Sequence, residues 1–169
     1  MTRILIIDDE PCVLSSLQRV LATEGYDVRT ASDVEAALHA INEGPCDLVL
    51  CDYRMPGMNG VALLSLIKEK QPDAIRMILS GHADLGGAIR GINDAEIYRF
   101  LTKPWDSDDL KVTVRQALAY HNLLLENRRL ADEVRRQQET IDALESSYPG
   151  IAHVKRSADG AVLVEQGDC

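Results

Sequence analysis

The chain has 169 residues, of which 46 % are hydrophobic and 27 % charged, and a formal net charge of −9. That is globular composition, which excludes wholesale disorder, and the acid excess argues against direct nucleic-acid binding, since phosphate contacts need clustered Lys and Arg. No apolar run is long enough to span a membrane, Met1-Thr2-Arg3 and the four apolar residues before Asp8 are too short for a secretory signal, and no lipidation motif is present, so the membrane is excluded as a ligand and the cytoplasm is the expected compartment.

The cysteines Cys12, Cys46, Cys51 and Cys169 form no CxxC pair and no Cys/His metal spacing. Three of them sit within apolar patterns and read as small hydrophobes.

Short apolar runs alternate with helical patterns up to about residue 120. The runs are Ile4–Ile7, Tyr26–Val28, Leu48–Cys51, Ile75–Leu79 and Glu96–Leu101, and several are nearly continuously apolar, as strands covered on both faces are. The first helical window carries Val13, Leu14, Leu17, Val20 and Leu21, with Pro11 suited to a first turn and Gly25 to a stop. The second carries Val34, Ala37, Leu38 and Ile41 between Ser32 or Asp33 and Gly44-Pro45, and the third Val61, Leu64 and Ile67. The fourth, Leu85 to Ile92, holds Gly86, Gly87 and Gly91 and is a poor helix former. The fifth begins after Asp106-Ser107 with Leu110, Val114 and Ala117.

Five such βα units predict an α/β, doubly wound, five-stranded parallel sheet of order 2-1-3-4-5, the flavodoxin-like arrangement. Ligands of these sheets bind outside the carboxyl ends of the strands.

The helical pattern then continues to Ser146 or Ser147. A heptad frame puts Tyr120, Asn127, Val134 and Ile141 at a, and Leu123, Leu130, Gln137 and Leu144 at d. This predicts a coiled coil, with Asn127 favouring a parallel homodimer in fixed register. Glu126, Glu133, Ala131 and Gln138 at the flanking positions mean that charge pairing adds little. Tyr148-Pro149-Gly150 ends the helix, and the apolar runs around Asp159-Gly160 predict a short β-hairpin tail. The expected organisation is therefore a domain over 1–120, a coiled-coil helix over 121–147 continuing its last helix, and a tail over 148–169. Little room is expected for a catalytic output domain after residue 150, and no helix-turn-helix is visible.

At the carboxyl ends of the strands the residues are chemical. The first strand ends in Asp8-Asp9-Glu10 and the third in Asp52. Carboxylates at adjacent strand ends repel unless a cation joins them, and oxygen-only ligands select a hard ion such as Mg²⁺. The fourth strand brings Ser80 to the same rim and the fifth Lys103. A metal, a hydroxyl and an ammonium around one carboxylate make sense together if Asp52 accepts a phosphoryl group, whose transfer needs positioning and cationic stabilisation.

These features resemble the receiver domain of bacterial two-component response regulators. The matching motifs are Asp8-Asp9, Asp52 followed by Met55-Pro56-Gly57-Met58-Asn59-Gly60, Ser80-Gly81 and Lys103-Pro104, over about residues 1–120. The resemblance implies that Asp52 is phosphorylated from a phosphohistidine on a sensor histidine kinase. It also implies that Asp9, Asp52, the Arg54 carbonyl and Asp8 hold Mg²⁺, and that Ser80 and Lys103 contact the phosphoryl group. It implies a cis Lys103–Pro104 bond and a switch in which Ser80 moves and Phe100 turns inward. Arg54 and His82 stand at positions that tune attack by water, giving an expected lifetime of minutes rather than seconds. The output surface would be the fourth helix, fifth strand and fifth helix.

The protein implied is no metabolic enzyme but a regulatory phosphoacceptor that catalyses its own phosphorylation and dephosphorylation. It would signal through a coil using Leu123, Asn127, Leu130, Val134, Ile141 and Leu144 to a downstream protein partner. The alternatives are a phosphorelay shuttle or phosphate sink, an oligomerisation scaffold with vestigial phosphorylation, and a hydrolase built on the same acidic pocket.

Overall fold

A computed structural model describes residues 1–81 and 95–149. Its element order is β1 (Arg3–Ile7), α1 (Pro11–Ala22), β2 (Asp27–Ala31), α2 (Val34–Glu43), β3 (Leu48–Asp52), α3 (Gly60–Lys70), β4 (Ile75–Gly81), β5 (Ile97–Lys103) and α4 (Ser107–Ser147). The fifth helix predicted from sequence is thus α4. The fourth window, 85–92, and the hairpin tail lie outside the described residues.

The strands pair in parallel in the order β2-β1-β3-β4-β5, the order the βα alternation predicts. Period-two alternation then builds two cores. Ile4, Ile6, Leu48, Leu50, Met77 and Leu79 face α1 and α4. Leu5, Ile7, Val49, Cys51 and Ile78 face α2 and α3. Leu17, Leu21, Leu63, Leu64 and Ile67 close the two sides and are fully buried, each stabilising the fold by about 1.5–3 kcal/mol relative to exposure.

Local chemistry sets the helix starts. Pro11 takes the first turn of α1, Asp33 accepts from Ala36 N at 2.7 Å to cap α2, and Asn59 accepts from Ala62 N at 2.8 Å to cap α3. The α1 cap falls at Thr23, while Gly25 supplies the left-handed turn that follows, at φ +81. β2 runs to Ala31, further than its apolar run predicts, because an edge strand is half-buried and carries polar residues such as Arg29 and Thr30. Cys46 and Cys51 are buried and Cys12 exposed. Burial pushes the Cys46 thiol up to about 12 and raises that of Cys51 as well.

The chain divides into two units, Met1–Leu125 and Glu126–Cys169. In the first, α4 buries Leu110, Val114, Ala117, Leu118 and His121, and Leu123 is 69 % exposed. In the second, Leu130, Val134, Ile141 and Leu144 are exposed along the helix. Glu126–Arg129 and Asp132–Arg135 ion pairs stitch its polar surface. No described helix is long and apolar enough to cross a membrane.

Candidate functional site

The carboxyl ends of β1, β3, β4 and β5 converge at one rim of the sheet. The registers Ile7↔Cys51, Asp52↔Leu79, Ser80↔Thr102 and Gly81↔Lys103 bring the predicted residues alongside one another. Asp8 is fully buried and Asp52 only 6 % exposed. Two carboxylates at that burial require a cation, and Lys103 supplies one. Its ammonium donates to Asp8 Oδ2 and lies against Asp52 Oδ1, each at 2.7 Å, with Glu10 Oε1 at 3.7 Å. The other oxygens are held by main chain. Glu10 N donates to Asp8 Oδ1 and Arg54 N to Asp52 Oδ2, both at 2.8 Å.

The electrostatics follow. Burial raises the Asp52 pKa above the ordinary carboxylate value. Lys103 opposes that shift and the Asp8 charge adds to it. For Lys103, burial works against the ammonium, but its bonds to Asp52 and Asp8 outweigh it and the pKa is raised. The lysine stays charged.

Ser80 is buried at the end of β4 and donates to Gly81 O at 3.1 Å. Asp9 is exposed beside the pocket, and Arg54 is exposed while engaging Asp52 through its main chain. Phe100 is half-buried against the α2/α3 core, and the Lys103–Pro104 bond is cis. His82 lies outside the described residues. The coil residues Leu123, Asn127, Leu130, Val134, Ile141 and Leu144 all follow the last buried residue of α4, His121.

Among the described residues no group of three or more His, Cys, Asp or Glu side chains is arranged to hold a metal ion, and the Lys103 ammonium lies against two of the three expected carboxylates. The donor chemistry itself suits a hard divalent cation. Asp8, Asp9, Asp52 and the Arg54 carbonyl offer only oxygen.

Two residues gain importance that their sequence context did not give them. Gly60, quoted above only as part of a motif, packs α3 directly on the phosphoacceptor candidate's own backbone. A Cβ at residue 60 would stand 2.1 Å from Asp52 O and 3.2 Å from Cys51 Sγ. Arg76 is 4 % exposed within the apolar run of β4. A charge inside an otherwise apolar strand was the available signal.

The family model "Response regulator receiver domain" matches residues 4–115. The hydrogenase transcriptional regulatory protein HoxA of Cupriavidus necator is 38 % identical over 132 residues, covering 78 % of this chain and 27 % of that protein. The C4-dicarboxylate transport transcriptional regulatory protein DctD of Pseudomonas aeruginosa is 31 % identical over 167 residues, covering 99 % and 36 %. The chain thus spans about a third of the length of these curated relatives. A response regulator receiver domain protein from Clostridium thermocellum superposes with a TM-score of 0.68 at 32 % identity, covering 73 % of this chain and 99 % of that one. With a matching family model over most of its length, parallel strand order and strand-end acids together, this chain belongs to the response regulator receiver domain family.

Proposed function

We propose that Asp52 accepts a phosphoryl group from the phosphohistidine of a sensor histidine kinase. The observation that carries this reading is the Lys103 ammonium lying 2.7 Å from both Asp8 and Asp52 at the carboxyl rim of the sheet. An Asp52 oxygen attacks phosphorus, the P–N bond of the donor breaks, and the product is an aspartyl phosphate. Lys103, already beside the attacking carboxylate, offsets the negative charge on the transferred oxygens, and the Ser80 hydroxyl donates to them. Mg²⁺, when held by Asp8, Asp9, Asp52 and the Arg54 carbonyl, would neutralise part of the same charge. Arg54 and His82 govern access of water to the product.

The output runs through β5, α4 and the residues before β5. Beyond the packed part of α4, the exposed stripe Leu123, Asn127, Leu130, Val134, Ile141 and Leu144 meets the same stripe of a second copy and presents the pair to a downstream protein. The exposure of these apolar side chains supports that role.

Beryllofluoride, which stands in for the phosphoryl group, tests the site. With Mg²⁺ it is expected to change the emission of Trp105, the chain's one tryptophan, in the native protein and not in Asp52→Asn. Light scattering after size exclusion tests the coil. A dimer that is lost in Leu130→Asp supports it, and a monomer at every concentration contradicts it.

A further inference from the structure

Arg76 sits inside the sheet between buried Ile75 and Met77, with its side chain 5 % exposed. Four of the five guanidinium N–H groups are engaged by two segments. Nη1 donates to Ala74 O at 2.7 Å and Pro72 O at 3.1 Å, ahead of β4. Nε donates to Ala95 O at 2.7 Å and Nη2 to Glu96 Oε2 at 3.3 Å, ahead of β5. Glu96 also pairs with Lys68 at 2.8 Å and takes φ +47, a left-handed conformation that a residue with a side chain adopts only under constraint.

The β4–β5 ladder breaks register at this point. Arg76 pairs with Ile97 and Met77 with Arg99, so Tyr98 is an extra residue. The consequence is visible in the side chains. Ile97 faces the α2/α3 core, yet Tyr98 and Arg99 both turn toward α4, where Tyr98 stacks on Tyr120 at 5.2 Å and Arg99 donates to Gln116 at 3.3 Å. Regular alternation resumes with Phe100 on the α2/α3 side and Leu101 on the other. Only with that extra residue does Thr102 reach Ser80 and Lys103 reach Gly81. A one-residue slip would exchange the faces of Phe100 and Leu101 and move Lys103 along the rim by about 3.3 Å. A slip of the whole strand, in which Ile97 leaves Arg76, would also withdraw Ala95 O from Nε and leave a buried cation short of acceptors, which is costly.

We propose that Arg76 is a positioning residue for the phosphoacceptor site: it locks the bulge at Tyr98 and thereby sets Lys103 in register with Asp52. This rests on the reading of Asp52 and Lys103 as the reacting pair. A lysine at residue 76 keeps the charge but loses the planar fork that spans both segments.

The test compares Arg76→Lys with Arg76→Lys carrying a deletion of Tyr98. The deletion makes the Arg76–Ile97 and Met77–Arg99 rungs consecutive, so no bulge remains to be locked. Two quantities are read: the concentration of beryllofluoride, with Mg²⁺, that half-saturates the Trp105 response, and the cross-strand proton contacts of Ser80 with Thr102 and Gly81 with Lys103 by NMR. Arg76→Lys is expected to weaken beryllofluoride about tenfold or more and to lose those contacts, and the deletion to restore both. If Arg76→Lys does not fold, the deletion variant is expected to fold and bind. A purely structural Arg76 would lower the melting temperature and move neither quantity in the folded protein. Unchanged contacts and affinity in folded Arg76→Lys, or no recovery on deletion, overturns the proposal. If the native protein itself does not bind beryllofluoride, the Asp52 reading fails, and the NMR contacts alone decide the role of Arg76.

Discussion

Lys103 on the edge strand β5 reaches across β4 to place its ammonium 2.7 Å from Oδ1 of Asp52 on β3. The same nitrogen holds fully buried Asp8 at 2.7 Å, so one cation compensates two buried anions. Lys103→Met would leave both carboxylates without it. Stability is expected to fall by about 3 kcal/mol, the cost of stranding buried charge. Chemical denaturation measures this. Mg²⁺ is expected to raise the melting temperature of Lys103→Met more than that of the native protein, because the ion then supplies the only positive charge at the acids.

Asp52 itself works against stability. Burial raises its pKa above the ordinary 3.8, so the folded state binds the proton more tightly than the unfolded chain. Its favourable contribution is complete below pH 3.8 and is lost as pH rises through the raised folded value. At neutral pH the ionised side chain is a net cost. Asp52→Asn is therefore expected to melt above the native protein at pH 7, with the difference vanishing below pH 3.8. Melting curves across that range check the sign.

Gly60 allows α3 to begin against the main chain of Asp52. Gly60→Ala brings a methyl group within 2.1 Å of Asp52 O, and neither partner is a flexible side chain. A loss of roughly 1–3 kcal/mol is expected from overpacking. Because the displaced atoms carry the reacting carboxylate, phosphorylation of the folded protein should slow by about 100-fold. Rates with a small-molecule phosphodonor, measured well below the melting temperature, separate the two effects.

Glu96 titrates in the opposite sense to Asp52. Its bond to Lys68, with the further pull of Arg76, lowers its pKa below the ordinary 4.5. Its contribution is present above pH 4.5 and is lost as pH falls through the lowered folded value. The side chain is 63 % exposed, so solvent screening keeps the effect below about 1 kcal/mol. Glu96→Gln is expected to be slightly less stable than the native protein at pH 7 and equal to it at strongly acid pH, by paired denaturation curves.

Much of this was legible in the chain because burial on both faces leaves a simple signature. β1 and β3 lie mid-sheet and read as the unbroken runs Ile4–Ile7 and Leu48–Cys51. The acids, hydroxyl and lysine that follow the strands declared the rim. β2 was underestimated because only Ala31 of its five residues is fully buried and the rest meet water in part. The bulge at Tyr98 could not be read, since register depends on the partner strand rather than on the local pattern. Gly60 and Arg76 were visible as residue types, but the close approach of one and the carbonyls gathered by the other exist only once α3, β3, β4 and β5 are packed.

The most direct test of the account is intact-mass analysis after incubation with acetyl phosphate and Mg²⁺. The native protein is expected to gain the mass of a single phosphoryl group, labile to hydroxylamine as an acyl phosphate is, and Asp52→Asn to gain none. A native protein that stays unmodified, or an Asp52→Asn variant that takes up the group as readily, would contradict the assignment of Asp52.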